Sequence, residues 1–423
     1  MRIAVISDLH LGFGRKTERE EESYDNARQA FEQALKEKID LILIPGDIFD
    51  ASVPSTESWH KAFKLFSIPE KIKKEDISIE TGKKKIHFSG IPIIAIHGTH
   101  EYRGKEYKNS LQVLESAGKI IYLHAQTAEI TKGKERIAVH GLGGIPEKKA
   151  LEVFRLWNPK PLHGIKNFLM FHQSIKEFLA TEDEMSVTLS LEHLPKGFNY
   201  YIDGHLHWNS QKKLNEGLFI VSGSTIITQM KKLESEKPKG FTIIDTEKMD
   251  CNFTPIEKQR RLYYKKFSFH NSSMEEVKNS VKEFIQESLK ENNSELTPLM
   301  RIKLSGTLAK GLSQGDLDLK EINEGFSGKA ILSIEKDFSL QEFKKKISEL
   351  REMQKSKQSI AALGFQLLEK HLGATNFSKE IEMKRLFDLL AEDEIEKAEQ
   401  FILEAKAKKG IKEKRKEKIS DFA

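Results

Sequence analysis

Acidic residues and histidines recur at the ends of apolar runs in the first half of the chain. Asp8 and His10 follow RIAVIS, and Asp47 follows LILIPG. Carboxylate oxygens and imidazole nitrogens together suit manganese, iron or zinc, whereas calcium and magnesium take oxygen donors. The sequence therefore predicts a site for divalent transition-metal ions. The candidate residues are Asp8, His10, Asp47, His100, His172, His205 and His207.

Taken one at a time, these clusters have ordinary structural explanations. An aspartate before a histidine can cap a turn with the imidazole at the surface, and Gly-Asp after a strand is commonly a turn. Alternation along an extended segment, however, places Asp8 and His10 on one side, and likewise His205 and His207. Two ions about 3.5–4 Å apart, bridged by one carboxylate, would make water a nucleophile at neutral pH. The joint pattern predicts a two-metal hydrolase.

The elements that must position these residues are strands and a crossover helix. Continuous apolar, β-branched runs of this length are typical of strands covered on both faces. Residues 25–38 carry Ala27, Phe31 and Leu35 on one stripe, which predicts the helix. We therefore expect an α/β layered domain with its site at the carboxyl edge of the sheet. The runs are RIAVIS, IDLILIP, IPIIAIH, RIAVHG, NFLMFH, YYIDG, LFIVSG and FTIID.

The pattern changes along the chain, whose 423 residues exceed one ordinary core. Residues 1–257 form the predicted α/β domain, and residues 258–338 a smaller α/β domain with a helix near 273–291. The pattern of residues 339–408 predicts helices only, interrupted by the segment GATNF. The basic end, residues 409–423, has no apolar face and is predicted to be disordered.

Composition narrows the class of protein. Cys251 is the only cysteine, which excludes an internal disulfide and a cysteine-ligated zinc within one chain, and favours a reducing compartment. No apolar run approaches the roughly 20 residues of a membrane helix, and the first residues lack a secretory pattern. We therefore expect a cytoplasmic protein without a membrane partner. The net charge of +5 permits a polyanionic partner without requiring one.

The segments DLHLG, GDIFD, GTHE, FHQ and GHLH occur in this order along the chain. Together they resemble the motifs of the calcineurin-like metallophosphoesterase superfamily, and within it those of the SbcD-type nucleases of DNA double-strand-break repair, the meiotic-recombination-eleven family. The resemblance covers about the first 250 residues motif by motif, and the remainder only by the order of its parts. It implies a layered β-sandwich flanked by helices, a small α/β capping domain and a helical C-terminal tail.

The resemblance also implies a role for each candidate residue. Two divalent ions would be bound, with manganese expected, and Asp47 would bridge them. His100 would stabilise or protonate the leaving oxygen, a role suited to an imidazole near neutral pH. The first ion would take Asp8, His10, Asp47 and His207, and the second would take Asp47, Thr99, His172 and His205.

Two positions depart from the family pattern. Thr99 stands where the family has asparagine, whose amide oxygen is the better neutral ligand. Coordination by Thr99, a water in its place and a purely turn-shaping role all remain open. Asp50 stands where some of these nucleases carry a histidine, so the presence of a second catalytic imidazole at this position is in question. His97 and Glu101 are expected to lie behind the ligands or at the surface rather than to bind an ion.

Substrate recognition is less constrained by the sequence. GDIFDA lacks the arginine that protein phosphatases of this superfamily carry after the second aspartate. Arg15 and Lys16 would either approach a backbone phosphate or lie in a solvated loop. Tyr102 and Arg103 offer a stacking ring beside a cation, which suits the end of a nucleic acid strand.

Apolar residues at three-and-four spacing mark two short amphipathic helices near residues 383–402. These helices either close on each other or pack on a partner's coiled coil, which in the resembling family belongs to an SMC-like ABC ATPase. The leading hypothesis is a manganese-dependent DNA nuclease (exonuclease or endonuclease) that processes break ends with this ATPase. It would be a homodimer, associated with the nucleoid in a prokaryote. The alternatives are a DNA-end-binding scaffold with weak or no catalysis and a small-molecule phosphodiesterase.

Overall fold

The computed structural model describes residues 1–72, 77–82, 84–88, 90–104, 107–179 and 189–338, with short stretches between 385 and 403. The chain divides into two compact units. The first contains Met1–Ser305 and Gly315–Asp337, and the second contains Gly306–Gln314 and the residues from Phe338 onward. All the candidate metal ligands lie in the first unit.

Strands dominate the described part of the chain, and helices lie between them. The strands are β1 (Arg2–Val5), β2 (Leu41–Pro45), β3 (Ile77–Thr81), β4 (Lys84–Ile86), β5 (Ile93–Ile96), β6 (Ile121–Tyr122), β7 (Gln126–Lys132), β8 (Glu135–Leu142), β9 (Lys166–Phe171), β10 (Tyr200–Asp203), β11 (Ser210–Lys213), β12 (Leu218–Val221), β13 (Gly240–Asp245), β14 (Asp250–Pro255), β15 (Leu262–Ser272), β16 (Leu299–Leu308) and β17 (Ile331–Phe338). The α-helices are α1 (Glu22–Lys36), α2 (Thr56–Phe66), α3 (Ser110–Ser116), α4 (Glu147–Trp157), α5 (Lys232–Glu236), α6 (Met274–Glu291) and α7 (Lys320–Gly325).

Two large sheets form the first unit. One has six strands in the order β14-β13-β1-β2-β5-β6, and the other has eight in the order β11-β12-β10-β9-β8-β7-β3-β4. β1, β2, β5 and β6 run parallel to one another, as do β8, β9, β10 and β12. Because parallel strands end at the same edge, the segments that follow them meet there.

The side chains of β1 show how the layers form. Ile3 and Val5 pack into a core that also contains Phe168 and Met170 of β9, so this core lies between the sheets. Ala4 points the other way, into a core with Phe31 of α1. Both faces of β1 are therefore buried, which explains its continuous apolar sequence.

A third core covers the outer face of the eight-stranded sheet. It joins Leu169 and Phe171 of β9 to Ala150 and Phe154 of α4. Each fully buried leucine or phenylalanine contributes about 1.5–3 kcal/mol of transfer free energy. The layers are thus helix, sheet, sheet and helix, which confirms the predicted α/β sandwich flanked by helices.

Residues 258–338 contain the smaller sheet, in the order β15-β16-β17, with α6 and α7. Ser273 and Glu276 form a capping box at the start of α6, the helix predicted near residues 273–291. Arg260, at the start of this region, donates to Glu22 Oε2 of α1 at 2.8 Å and to Thr297 O. Glu22 also accepts from the buried Arg19 at 2.7 Å. The boundary predicted at residues 257 and 258 stays a prediction.

In the second unit, the described stretches between 385 and 403 are largely helical. Leu386 and Ala398 are buried, whereas Leu390, Ile395 and Leu403 are exposed. The helices predicted within residues 339–384, and the basic end from residue 409, lie outside the described residues. Within the described ranges, every helix is too short or too polar to cross a membrane.

Candidate metal centre

The strand ends bring the predicted ligands together at one edge of the two sheets. Asp8 follows β1, Asp47 follows β2, and Thr99 and His100 follow β5 in the six-stranded sheet. From the eight-stranded sheet, His172 follows β9, and His205 and His207 follow β10. The donor atoms fall into three overlapping groups, within each of which all lie less than 4.8 Å apart. These groups are Asp8, His10 and His207; His10, Asp47 and His100; and Asp47, His172 and His205.

In the first group, two imidazole nitrogens and a carboxylate oxygen lie close together. His10 Nε2 and His207 Nε2 lie 3.2 Å apart, and His207 Nε2 lies 3.8 Å from Asp8 Oδ1. All three side chains are buried. Each histidine already uses its Nδ1: His10 contacts Asp50 Oδ1 at 3.1 Å, and His207 contacts Thr228 Oγ1 at 2.7 Å. Two Nε2 atoms and a carboxylate oxygen therefore face one another, a donor set that fits a cation.

The third group, which contains Asp47, His172 and His205, includes a buried nitrogen that lacks a hydrogen-bond partner among the described residues. His172 Nδ1 donates to Pro45 O at 2.8 Å, which directs Nε2 toward Asp47. Nε2 lies 3.2 Å from Asp47 Oδ2, but not in hydrogen-bonding geometry. The His205 ring lies 5.1 Å from the His172 ring, centroid to centroid. Because a buried polar atom is normally satisfied, this arrangement fits an ion bound between Asp47, His172 and His205.

Asp47 belongs to two of the three groups. Its carboxylate therefore lies close to the donor atoms of His10 and His100 in one group, and to those of His172 and His205 in the other. Its Oδ1 accepts the backbone N–H of His100 at 2.9 Å. Burial opposes its ionisation, but the charges of His172, His10 and His100 hold the pKa of Asp47 well below its usual range. The carboxylate is therefore charged at neutral pH and suited to bridge two cations.

The ligand-bearing segments adopt a left-handed backbone that side chains seldom occupy. Asp8, His10, Asp47 and His205 have φ of 50°, 46°, 48° and 73°. The extended geometry predicted from alternation is therefore wrong for Asp8 and His10, and likewise for His205 and His207, since β1 and β10 have already ended. Backbone hydrogen bonds hold the turn instead, with His10 N donating to Asp47 O at 3.0 Å. Such strained positions concentrate at functional sites.

Two residues behind the ligands connect the loops. Glu101 is fully buried, and its carboxylate accepts from Phe49 N at 2.7 Å and Gly98 N at 2.8 Å. Burial and the charge of Asp47 raise the pKa of Glu101 to about 8. His97 is also buried, and burial lowers its pKa to about 3. Both residues lie behind the ligands, which was one of the two predicted placements.

The two departures from the family pattern have different surroundings. Thr99 is exposed, and its Oγ1 lies 3.5 Å from Asp47 Oδ2. Asp50 is a hydrogen-bond partner of His10 and of His100. Its carboxylate contacts His10 Nδ1, and its backbone O accepts from His100 Nδ1 at 2.7 Å. Asp50 therefore orients two imidazoles, and contributes none of its own.

Of the residues predicted to contact DNA, Arg15, Lys16 and Tyr102 are exposed, and Arg103 is partly buried. The Arg15 side chain is 55% exposed and lies 3.5 Å from Glu57. Lys16 is exposed, and Tyr102 is 47% exposed. The Arg103 guanidinium lies 4.9 Å above the ring of Tyr107, a neighbour that the sequence did not single out.

A buried ion pair beneath His207 was not predicted. Lys239 Nζ donates to Glu234 Oε1 at 2.7 Å, to Ser224 Oγ at 2.9 Å and to the backbone O of His207 at 2.5 Å. Burial lowers the pKa of Lys239. The pair fixes the backbone of a candidate ligand. The sequence carries no signal for it, since a lysine before a strand is ordinarily solvated.

Comparison with known proteins agrees with this geometry. Residues 1–209 match the calcineurin-like phosphoesterase family. The DNA double-strand break repair protein Mre11 of Saccharolobus solfataricus is 31% identical over 255 residues, which cover 59% of this chain and 61% of the relative. Mre11 of Sulfolobus acidocaldarius is 27% identical over 317 residues, covering 73% and 76%. Mre11 of Methanocaldococcus jannaschii is 28% identical over 275 residues, covering 61% and 66%.

The chain thus spans less than two thirds of the length of the first of these relatives. The matched segment nevertheless contains the strand ends from β1 to β10 and every candidate ligand. This family uses divalent metal ions, in agreement with the three donor groups. Residues 1–209, which contain every candidate ligand, are therefore similar to the calcineurin-like phosphoesterase family.

Proposed function

We propose that this chain is a two-metal phosphodiesterase that cleaves DNA at double-strand-break ends. The observation that carries the proposal is the convergence of two donor groups on the carboxylate of Asp47. The similarity of residues 1–209 to the calcineurin-like phosphoesterase family supports hydrolysis of a phosphate ester. Similarity to archaeal double-strand break repair proteins supports DNA as the substrate.

The proposed metal ions are manganese: the mixed imidazole and carboxylate donors suit manganese, iron or zinc, and the resemblance to the nuclease family favours manganese among these. When bound, the pair supplies the Lewis acidity that polarises the phosphate and makes water nucleophilic at neutral pH. Thr99 is the one proposed ligand that lacks a strong donor atom. The proposed ligands are Asp8, His10, Asp47 and His207 at the first position, and Asp47, Thr99, His172 and His205 at the second.

His100 is the proposed general acid for the leaving oxygen. Its side chain is 42% exposed, so a substrate can reach it, and its ring lies 4.9 Å from that of His10. Because Nδ1 donates to Asp50 O, Nε2 points away from this contact and is available to the substrate. Positioned imidazoles of this kind contribute about 10²–10⁴-fold to proton transfer.

Exposed aromatic and basic side chains beside the His100 loop support the choice of a nucleic acid. Tyr102 offers a free ring face, and Arg103 with Tyr107 forms a stacked cation and ring. Base stacking on aromatic side chains contributes about 1–3 kcal/mol per base. Arg15 and Lys16 are proposed to contact the phosphate backbone, where exposed and weakly paired cations release counterions.

The proposed partners are a second copy of this chain and an SMC-like ABC ATPase. Val53, Tyr107 and Val113 are exposed apolar side chains of the first unit, and support a homodimer. Leu390 and Leu403 are exposed in the helical stretches between 385 and 403, and support an ATPase coiled coil as the second partner. A protein acting on DNA ends would be cytoplasmic and nucleoid-associated in a prokaryote.

The test is cleavage of end-labelled linear duplex DNA by the purified chain with manganese, with magnesium and with a chelator. We expect manganese-dependent cleavage that falls at least about 10³-fold in Asp47→Asn, since this substitution removes the bridging charge. Asp25→Asn, a change at an exposed residue of α1, is the matched control and should cleave normally.

The alternatives predict different results in the same assays. A DNA-end-binding scaffold would bind the duplex tightly and cleave it no faster than Asp47→Asn does. A small-molecule phosphodiesterase would hydrolyse a chromogenic diester and leave duplex DNA intact. Either result would overturn the proposed nuclease activity.

A further inference from the structure

A line of hydrogen bonds connects the start of α3 to the loop that carries Thr99 and His100. Asn109 caps α3 through Oδ1, which accepts from Gln112 N at 2.9 Å. Its Nδ2 donates to the Tyr122 hydroxyl at 3.0 Å. That hydroxyl lies 2.7 Å from His97 Nδ1, and His97 Nε2 lies 3.1 Å from Gly144 O. We call this set the Asn109–Tyr122–His97 relay.

The chemistry of its two ends fixes the direction of every bond in the relay. Gly144 O can only accept, so His97 Nε2 carries a proton. Asn109 Nδ2 can only donate, so the Tyr122 oxygen accepts from it and the hydroxyl proton is directed to His97 Nδ1. Each bond then has one donor and one acceptor, and His97 is a neutral imidazole held in a single tautomer.

Tight packing transmits the orientation of His97 to the metal centre. A Cβ built on Gly143 would lie 2.1 Å from the His97 ring, so the ring lies flat against this backbone. A Cβ on Gly144 would lie 2.8 Å from the carbonyl carbon of Gly98. Gly144 N also donates to His97 O at 2.7 Å. The ring therefore lies between two backbone segments that have no room to move independently.

The loop held by His97 is the one that contacts the bridging carboxylate. A Cβ on Gly98 would lie 2.1 Å from Asp47 Oδ1, so this glycine packs directly against Asp47. His100 N donates to the same oxygen at 2.9 Å, and Thr99 Oγ1 faces Oδ2. A change in the position of His97 by a few tenths of an ångström would therefore alter the surroundings of Asp47.

We propose that Tyr122, acting through His97, is a positioning residue that sets how strongly the metal centre binds its ions. Asn109 extends this control to α3, so a shift at the start of that helix changes the metal affinity of the site. The inference rests on the proposed function, since it concerns the ions that the proposed reaction uses. It predicts that Tyr122 and Asn109, which are not ligands themselves, have a measurable effect on the ligands.

The first test is Tyr122→Phe, which removes the hydroxyl and keeps the ring. His97 Nδ1 then loses its donor, and we expect manganese to bind about 10–100-fold more weakly, as for other partners behind metal ligands. The turnover number should fall with KM retained. Manganese binding is measured by titration calorimetry, and the His97 tautomer by nitrogen-15 spectra of histidine-labelled protein.

The second test is Asn109→Asp, which keeps an oxygen to cap α3 and exchanges the donor for an acceptor. The Tyr122 hydroxyl should then turn to the new carboxylate, so the variant should bind manganese as weakly as Tyr122→Phe. Gln112→Ala is the matched control, because it removes the other half of the capping box and leaves the relay intact. It should lower the melting temperature and leave manganese affinity unchanged.

The outcomes separate this inference from the proposed function. Wild-type manganese affinity in Asn109→Asp, or an equal loss in Gln112→Ala, would overturn the relay even if DNA cleavage is observed. Weakened manganese binding in Asn109→Asp alone, in a protein that does not cleave DNA, would support the relay and overturn the nuclease. Absence of manganese binding in the unaltered chain would overturn both. Asn109→Asp keeps these tests decisive if Tyr122→Phe does not fold.

Discussion

His172 must lose a proton before it can bind an ion. Its Nδ1–H is committed to Pro45 O, so a second proton on the ring would be carried by Nε2, 3.2 Å from Asp47 Oδ2. Burial lowers the pKa of this ring, but the charge of the Asp47 carboxylate outweighs burial and raises it to about 10. We therefore expect that, in the metal-free protein at neutral pH, a proton on Nε2 competes with the proposed second ion.

The cost of removing that proton follows from the difference between the pKa and the ambient pH. Each unit corresponds to about 1.4 kcal/mol, so at pH 7 the cost is about 4 kcal/mol. Affinity for the ion at Asp47, His172 and His205 should therefore rise about tenfold per pH unit between pH 6.5 and 8.5. His205 adds nothing to this dependence, because burial lowers its pKa to about 3 and the ring is already neutral.

Manganese titrations in two buffers of different ionisation enthalpy count the protons released with each ion. We expect about one proton with the second ion. His172→Asn should remove this release and the pH dependence. His205→Asn is the matched control: it loses a donor without a proton, so its affinity should be lower at every pH with the same slope. A pH-independent affinity, or an unchanged slope in His172→Asn, would refute the reasoning.

Three further substitutions probe the surroundings of the ions. Thr99→Asn should strengthen binding of the second ion about tenfold, or about 1.4 kcal/mol, in the same titrations, and an unchanged affinity would mean that position 99 is not a ligand. Asp50→Asn should lower the turnover number about 10–100-fold with DNA affinity retained, because His10 loses its charged partner. Glu101→Ala should destabilise the fold by at least about 2 kcal/mol in denaturant unfolding, since Phe49 N and Gly98 N lose their acceptor.

The parts of the fold that the sequence predicted are those buried on both faces. Continuous apolar runs mark β1, β2 and β9 because neither face of these strands meets water. β7, with the sequence QTAEITK, was not predicted, since most of its side chains are only partly buried and its apolar signal is short. Residues 84–86 pair with Ile79–Thr81 as an edge strand whose charged side chains give no such signal.

The candidate ligands were predictable because metal binding demands particular side chains, and the partners behind them were not. His172 is oriented by a backbone carbonyl, that of Pro45, which any residue type would supply. Glu101 accepts from Phe49 N and Tyr122 contacts His97, so both join segments that are far apart in sequence. Single-residue preferences place a glutamate at the surface, so only the packed structure reveals a buried one.

An ordinary Asp-x-His turn and this centre look alike in sequence, and the backbone conformation distinguishes them. Asp8 and His10 both have positive φ, a conformation that costs about 1–2 kcal/mol for a residue with a side chain and that local preference would give to glycine. Asp47 and His205 share it, from two other strand ends. This conformation also occurs at Lys38 and Ala125, but here it occurs at residues that share groups of donor atoms lying within 4.8 Å of one another. Its recurrence at donors from three different strands is therefore best explained by a requirement on where their atoms lie, which is what a shared pair of cations imposes.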